Sequence, residues 1–409
     1  MQERIATSRP GGRRMLLKAR PRNVHTASVA ATVLAPGGRA FAAPATGAAA
    51  PARDRLREEL QGTLEHMRGL GVIGAQGQIA TLHRDVAART GTADAAGTTP
   101  MPAGGRFRIG SNTKTFVSVV VLQLAGEGKL SLEDTVDRWL PGVVAGNGND
   151  GRRITVRQLL QHTSGLYNYI NDIPAVHSPE EYQRHRYDHY DPADLVALAM
   201  RHEPNFAPGT HWDYSNTNYV LAGMIIRRVT GRSWAEQVRY RIARPLHLRD
   251  TYFPYDHPSL PASSARAYQQ FAPGAALVDV TEFNPTAADA AGGLVSTTGD
   301  LTRFWLALQR GALLRPAQMA DLHGTVLAET YQDVREGMRY GLGIFWVPTR
   351  CNGFWAHPGD VPGTSTFNGV SSSGDRAVVL YRTTALADPA IGGALDGLAL
   401  GLVEDVMCA

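Results

Sequence analysis

Lysine is scarce in this chain. Of 41 Lys/Arg residues only three are lysines, Lys18, Lys114 and Lys129, so arginine is the default cation. Long apolar runs are missing as well. No stretch reaches the roughly eighteen apolar residues a membrane-spanning helix needs, which excludes stable membrane insertion of that kind. Cysteine is limited to Cys351 and Cys408, too few and too far apart for a zinc site. No Gly-x-Ser-x-Gly occurs, which argues against the nucleophile elbow of an α/β-hydrolase. Positive charge is lacking in the body of the chain. Residues 1–43 hold eight Lys/Arg and one acid, and the whole chain is only +4, so residues 44–409 carry a net −3. A mildly acidic body argues against nucleic acid or anionic membrane as a partner.

What is present falls into distinct stretches. The basic head reads as an export signal over residues 1–43. Gly12-Arg13-Arg14-Met15-Leu16-Leu17-Lys18 has the twin-arginine pattern, a weakly apolar stretch follows over about 24–34, and Ala40-Phe41-Ala42 fits a small-x-small cleavage site. The expected location is therefore extracellular or cell-wall associated. An even cysteine count in an exported chain favours one disulfide, fastening the C-terminal helix near Cys408 to the strand region near Cys351.

Residues 44–53 read as an Ala/Pro/Gly linker. Leu56, Leu60, Leu64 and Met67 predict a helix over 54–68, and short strands are expected at 78–82 and 86–89. A strong helix is expected to start at Ser111, with Phe116, Val119, Val120 and Leu124 as its buried stripe. Between 130 and 280 the pattern is mostly helical, with helices predicted at 156–161, 192–201, 216–230 and 233–242. Beyond 290 come a helix at 298–309, strands at 340–347 and 354–357, a hairpin of 364–370 with 377–381, and a final helix over 391–406. Two mixed ends around a helical middle imply an α/β fold assembled from 54–129 and 290–409, with an inserted all-helical domain at 130–289.

The chemistry starts from the scarce residue. Lys114 follows Ser111 by three, so both side chains lie on one helix face. Lysine can lose its proton when desolvated, which arginine does not, so the pair suits a serine nucleophile with a lysine base. An N-cap role would explain Ser111 but not Lys114. A second element is Tyr214-Ser215-Asn216, where a tyrosine can relay a proton if a nearby ammonium lowers its pKa and an amide can hold a substrate amide. Tyr169-Ile170-Asn171 is a second copy of that pattern; the later copy is preferred because Pro208-Gly209 and the aromatics Trp212 and Tyr214 rigidify it. The third element is His357-Pro358-Gly359, followed by Asp360 and Thr364, where a strand glycine admits close approach of a substrate.

In this order and spacing, the three elements resemble the penicillin-recognising serine hydrolases, which include D-alanyl-D-alanine carboxypeptidases and class C β-lactamases. The resemblance extends over most of residues 54–409 and is closest to secreted carboxypeptidases of the actinobacterial type. It implies a β-lactamase/transpeptidase-like fold: an antiparallel sheet flanked by helices, plus a helical insertion. It implies Ser111 as nucleophile and Lys114 with Tyr214 as shared general base. It also implies an oxyanion hole of the Ser111 and Asp360 N–H groups, Asn216 on the acyl-side amide, and His357 tuning Tyr214. Such carboxypeptidases can carry a disulfide where Cys351 and Cys408 lie. No metal or organic cofactor is implied, the substrate is a small peptide or β-lactam-like molecule, and a monomer is expected.

One departure bears on the substrate. Asp360 follows Gly359, and Phe345 stands in an apolar strand where a carboxylate-binding cation would be wanted. An Asp facing a substrate carboxylate repels it unless paired, with Thr364 and Ser365 as compensating hydroxyls. The leading expectation is a D-alanyl-D-alanine carboxypeptidase acting on peptidoglycan stem peptides. The alternatives are a serine β-lactamase, an esterase or a D-amino-acid amidase, and more remotely a non-catalytic penicillin-binding protein. His162-Thr163-Ser164-Gly165 reads as a helix stop and turn. His185 and His189 lack a third ligand motif and read as a solvated helix face rather than a zinc site.

Overall fold

The computed structural model describes residues 49–409, with side chains from residue 55 onward. The expected export signal lies outside the described residues. The expected linker ends early, because helix α1 (Ala49–Gly69) already begins within it. Strands β1 (Gly74–Thr81) and β2 (Asp85–Gly91) follow as an antiparallel hairpin. Helix α2 (Asn112–Gly126) comes next, then α3 (Val156–Gln161) and α4 (Thr217–Thr230), then α5 (Thr298–Gln309). The chain closes with β3 (Val326–Leu327), β4 (Arg339–Tyr340), β5 (Phe345–Thr349), β6 (Asn352–Ala356), β7 (Gly359–Val361), β8 (Thr364–Val370), β9 (Arg376–Arg382) and helix α6 (Pro389–Cys408).

Both chain ends build one nine-stranded sheet in the order β2-β1-β9-β8-β6-β5-β4-β3, with β7 paired to β8. Its pairings are antiparallel throughout. The central strands are buried on both faces, and β9 shows how alternation sorts them. Ala377, Val379 and Tyr381 join a core with α2 and α5, whereas Val378 and Leu380 join a core with α1 and α6. Helix α2 sits between sheet and middle segment and is buried almost all round, from Asn112 to Leu122 and at Leu124, as a central helix must be. Phe116 stacks on Phe304 of α5 with ring centroids 3.7 Å apart.

Two expectations need correction. The strand predicted at 340–347 is two strands, β4 and β5, paired antiparallel around Gly341–Ile344. Gly343 takes φ +82 there, a conformation that ends a strand. The segment 130–289 is also not purely helical. Tyr268–Gln270 and Leu277–Asp279 form a small sheet with Thr384–Ala385, whose pairing with Tyr268 is parallel and spans over a hundred residues. A partner so distant leaves no local pattern to read. A further strand pair joins Ala145–Gly146 to Asn149–Asp150.

Cys351 and Cys408 are bonded, with Cα atoms 5.6 Å apart, so the end of α6 is fastened beside the β5–β6 turn as expected. Among the described residues no helix is long and apolar enough to cross a membrane.

Candidate active site

Helix α2 presents its first turn to the middle of the molecule. Asn112, Thr113 and Lys114 donate their N–H groups to the carbonyls of Ile109, Gly110 and Ser111, and the Ser111 N–H precedes that ladder. Ser111 occupies the N-cap position, yet its hydroxyl makes no capping bond. It lies instead 3.0 Å from Lys114 Nζ. Capping therefore does not explain this serine.

Lys114 is fully buried and has three polar neighbours. Its Nζ is 2.7 Å from Asn216 Oδ1, 2.7 Å from the Ala291 carbonyl and 3.0 Å from Ser111 Oγ. Burial holds its pKa well below the usual lysine value. The first two neighbours can only accept, so they take up two N–H bonds. A neutral amine then has one lone pair left, and it faces a hydroxyl, which can donate. Lys114 Nζ also lies 4.8 Å from the centre of the Tyr214 ring.

Tyr214 and Asn216 stand just ahead of α4. The Asn216 N–H donates to Asn168 Oδ1 at 3.0 Å, which fixes the entry to the helix. Burial pushes the Tyr214 phenol well above its usual pKa, with Tyr331 and Asp360 adding to the effect and a bond to Ser111 opposing it. Burial thus favours the neutral phenol, opposite in direction to the lowering a neighbouring ammonium would give. The earlier copy of the pattern is structural: Tyr169 is buried and donates to the Ala287 carbonyl at 2.8 Å.

The third wall is β7. Gly359 is a glycine for a packing reason, since a Cβ there would come within 2.0 Å of the Ile109 oxygen and 3.0 Å of the Ser111 nitrogen. Gly110, at φ +51, meets the same strand from the other side: a Cβ there would lie 2.8 Å from the Asp360 nitrogen. These two glycines let the backbones of Ser111 and Asp360 approach each other. Asn368 clamps the arrangement. It accepts from the His357 N–H at 2.9 Å, donates to the His357 carbonyl at 2.8 Å and bonds the Asn112 side chain.

His357 is buried, and burial lowers its pKa to about 3. It is thus a neutral imidazole. Its Nδ1 bonds the Pro358 carbonyl at 2.8 Å and its Nε2 faces the Tyr340 hydroxyl at 2.9 Å. The expected direct tuning of Tyr214 is not what the geometry shows, since the two rings pack with centroids 6.2 Å apart and the polar contact goes to Tyr340. Thr364 lies on the neighbouring strand β8. It pairs with Val361, is buried, and its hydroxyl has no partner among the described residues. Ser365 is the residue opposite Asp360 and bonds its carboxyl.

Several contributors escaped the sequence reading. His162 does end α3 in the left-handed region, as a helix stop. It also accepts from the Ser215 N–H at 3.3 Å and Asn218 Nδ2 at 3.0 Å, and packs on Tyr214 with ring centroids 4.3 Å apart. Its place in a His-Thr-Ser-Gly run was the available signal. Ala291 contributes only a carbonyl, which no residue type announces. Phe345 is buried against Tyr340 and Tyr331, consistent with an apolar wall. His185 and His189 pair with Asp188 and Asp256. A cavity of about 540 Å³ beneath Phe253 and Leu294 includes none of the site's residues.

Comparison with known proteins gives a consistent picture. The beta-lactamase family profile matches residues 19–398. Among solved structures, a D-stereospecific amidohydrolase from Streptomyces sp. is 40% identical with a TM-score of 0.74, over 80% of this chain and 94% of that one. A D-amino acid amidase from Ochrobactrum anthropi SV3, solved with L-phenylalanine amide, is 25% identical with a TM-score of 0.72, over 86% and 99% of the two chains. Protein flp of Staphylococcus aureus (strain COL) is 34% identical over 148 residues, which is 36% of this chain and only 28% of the length of that relative.

Proposed function

The chain belongs to the beta-lactamase family, and from that membership and the site geometry we propose a serine amidohydrolase that works through an acyl-enzyme. The carrying observation is Lys114, buried, with two obligate acceptors and the Ser111 hydroxyl as its third neighbour. Neutral Lys114 removes the Ser111 proton as Oγ attacks the substrate carbonyl. The Ser111 and Asp360 N–H groups receive the oxyanion. Tyr214, kept protonated by burial, gives its proton to the leaving nitrogen, and the nearby Lys114 ammonium stabilises the transient phenolate before returning a proton to it. Water then attacks the ester, and the same groups run in reverse to release the acid and regenerate Ser111. Asn216, bonded to Lys114, orients both the base and the substrate amide. General-base duty thus rests on Lys114 alone rather than on Lys114 and Tyr214 together.

The substrate class we favour is the amide of a D-amino acid. The similarity to a D-stereospecific amidohydrolase and a D-amino acid amidase supports it. The D-alanyl-D-alanine carboxypeptidase reading uses the same acyl-enzyme but needs a cation for the terminal carboxylate of its substrate. Phe345 is apolar, and Arg382, whose charge reaches Asp360, is bonded to Asp396 at 3.0 Å. Ammonia release from D- and L-phenylalanine amide, beside D-alanine release from a D-alanyl-D-alanine peptide, tests the choice. We expect turnover of the D-amide only. D-alanine release as the dominant activity would return the carboxypeptidase to first place.

A further inference from the structure

The acyl-enzyme chemistry uses Asp360 only through its backbone N–H, and its side chain remains to be explained. Asp360 pairs with Ser365 across β7 and β8, and Ser365 pairs with Arg382 across β8 and β9. Directly paired residues share a face of a sheet, so these three side chains form one row. Gly359 and Thr366 occupy the other face, which Gly359 turns toward Ile109 and Asn112. The Asp360 side chain is solvent-exposed, yet its field reaches the hydroxyls of Tyr214 and Tyr331. It therefore stands at the surface beside the tyrosine of the site.

The charges around it do not balance. Arg382 bonds Asp396 at 3.0 Å, and those two cancel. Asp360 has no ion pair of its own among the described residues, and its carboxyl takes a bond from Ser365. Asp360, Arg382 and Asp396 together carry one net negative charge. A carboxylate accepts up to about four hydrogen bonds, so acceptor capacity is left over. Desolvation by the surrounding protein, with Asp396 adding to it, raises the Asp360 carboxyl above its usual pKa against the pull of Arg382 and the Ser365 bond. An arriving cation would reverse that shift.

We propose that the Asp360 carboxylate binds the α-ammonium group of the substrate, so that the enzyme selects acyl groups bearing a free amine next to the scissile carbonyl. This rests on the acyl-enzyme reading above. With the carbonyl oxygen held by the Ser111 and Asp360 N–H groups, the α-nitrogen is two bonds from the carbonyl carbon. The same residue that donates to the oxygen then carries the anion for the nitrogen. The arrangement accepts an amino-acid amide or ester and repels an acyl group with an anion at that place.

The test uses two p-nitroanilides, of D-phenylalanine and of 3-phenylpropionic acid, which differ by the amine. Wild type should prefer the amine-bearing substrate by about ten- to a hundred-fold in kcat/KM, the worth of a charge-assisted bond. Asp360→Asn keeps the backbone donor and side-chain shape. It should collapse the preference toward one, read as the ratio of the two kcat/KM values within the same variant, so that any effect on the oxyanion site common to both substrates cancels. Asp360→Glu should keep most of the preference, which shows that charge rather than folding is read. Equal losses on both substrates, no loss on either, or a wild type blind to the amine would each overturn the proposal. The serine mechanism is checked separately with p-nitrophenyl 3-phenylpropionate, which has no amine. Turnover of that ester surviving Ser111→Ala would sink the acyl-enzyme reading whatever Asp360 does.

Discussion

Lys114 has a thermodynamic cost that its neighbours offset only in part. Its pKa is lowered by burial, so between the folded and unfolded values the unfolded chain holds a proton that the folded chain lacks. That difference makes stability rise with pH through this window and fall as pH drops. The same depressed pKa is useful for catalysis. The acid limb of kcat/KM should report the free Lys114 amine, with activity rising with pH around a midpoint well below the ordinary lysine value of 10.5. An acid limb centred near the ordinary lysine value would count against Lys114 as the base. Lys114→Arg keeps the charge but cannot deprotonate, and the expected loss is at least about a hundred-fold in kcat, the lower range for a positioned general base. Normal turnover in that variant would refute the assignment. At this scale the sequence was most informative where a residue was out of character. A lysine in an arginine-rich chain marked the site, and Asp360 marked the substrate question. Ala291 and Asn168 were not legible, because a backbone carbonyl and a common amide carry no such contrast. The protonation states of Tyr214 and His357 were not legible either, since burial decides them.

At the scale of elements, the site depends on how closely β7 approaches the start of α2. Gly359→Ala would drive a Cβ against the Ile109 oxygen and the Ser111 nitrogen, both backbone atoms that cannot swing aside. The strand must then shift, carrying the Asp360 N–H with it. Removing one oxyanion donor costs about 10²–10³ in kcat, and that is the loss expected, together with a lowered melting temperature. Unchanged kcat would mean that the Asp360 N–H is not used. Element boundaries followed local signals where those were strong. The helix at 156–161, the helix at 298–309 and the strand at 364–370 were readable from capping residues and alternation. The β4–β5 pair was misread as one strand although Gly341 and Gly343 were visible, because apolar flanks on both sides masked the turn. The strand pair involving Thr384 depends on tertiary contact and could not be read.

For the whole molecule, two features set how stability responds to conditions. The Cys351–Cys408 bond closes a loop with a sequence separation of 57. Loop-closure entropy for such a bond is worth about 4 kcal/mol. Cys351→Ser with Cys408→Ser should therefore melt about 5 °C lower than wild type under non-reducing conditions, given the size of the chain. No shift would show that α6 is held by packing alone. The second feature is a pair of buried, neutral histidines. His357 has a pKa of about 3, and His162 is also held well below its usual value by burial. Each takes up a proton when the chain unfolds below pH 6.5. Each therefore removes up to about 1.4 kcal/mol of stability per pH unit as pH falls from there toward its folded pKa. The melting temperature should drop steeply between pH 6 and pH 4, and His357→Gln should flatten that slope. The α/β architecture with a sheet from both ends was legible from the change in pattern along the chain. The strands inserted into the middle segment were not.

The central claim is that Ser111 carries the acyl group. Intact mass against time, with peptide mapping, would follow the protein mixed with a slowly released acyl donor such as benzylpenicillin or a D-phenylalanine ester. The account predicts an adduct of the acyl mass on the peptide containing Ser111, absent in Ser111→Ala. An adduct on another residue, or hydrolysis that continues in Ser111→Ala, would contradict it.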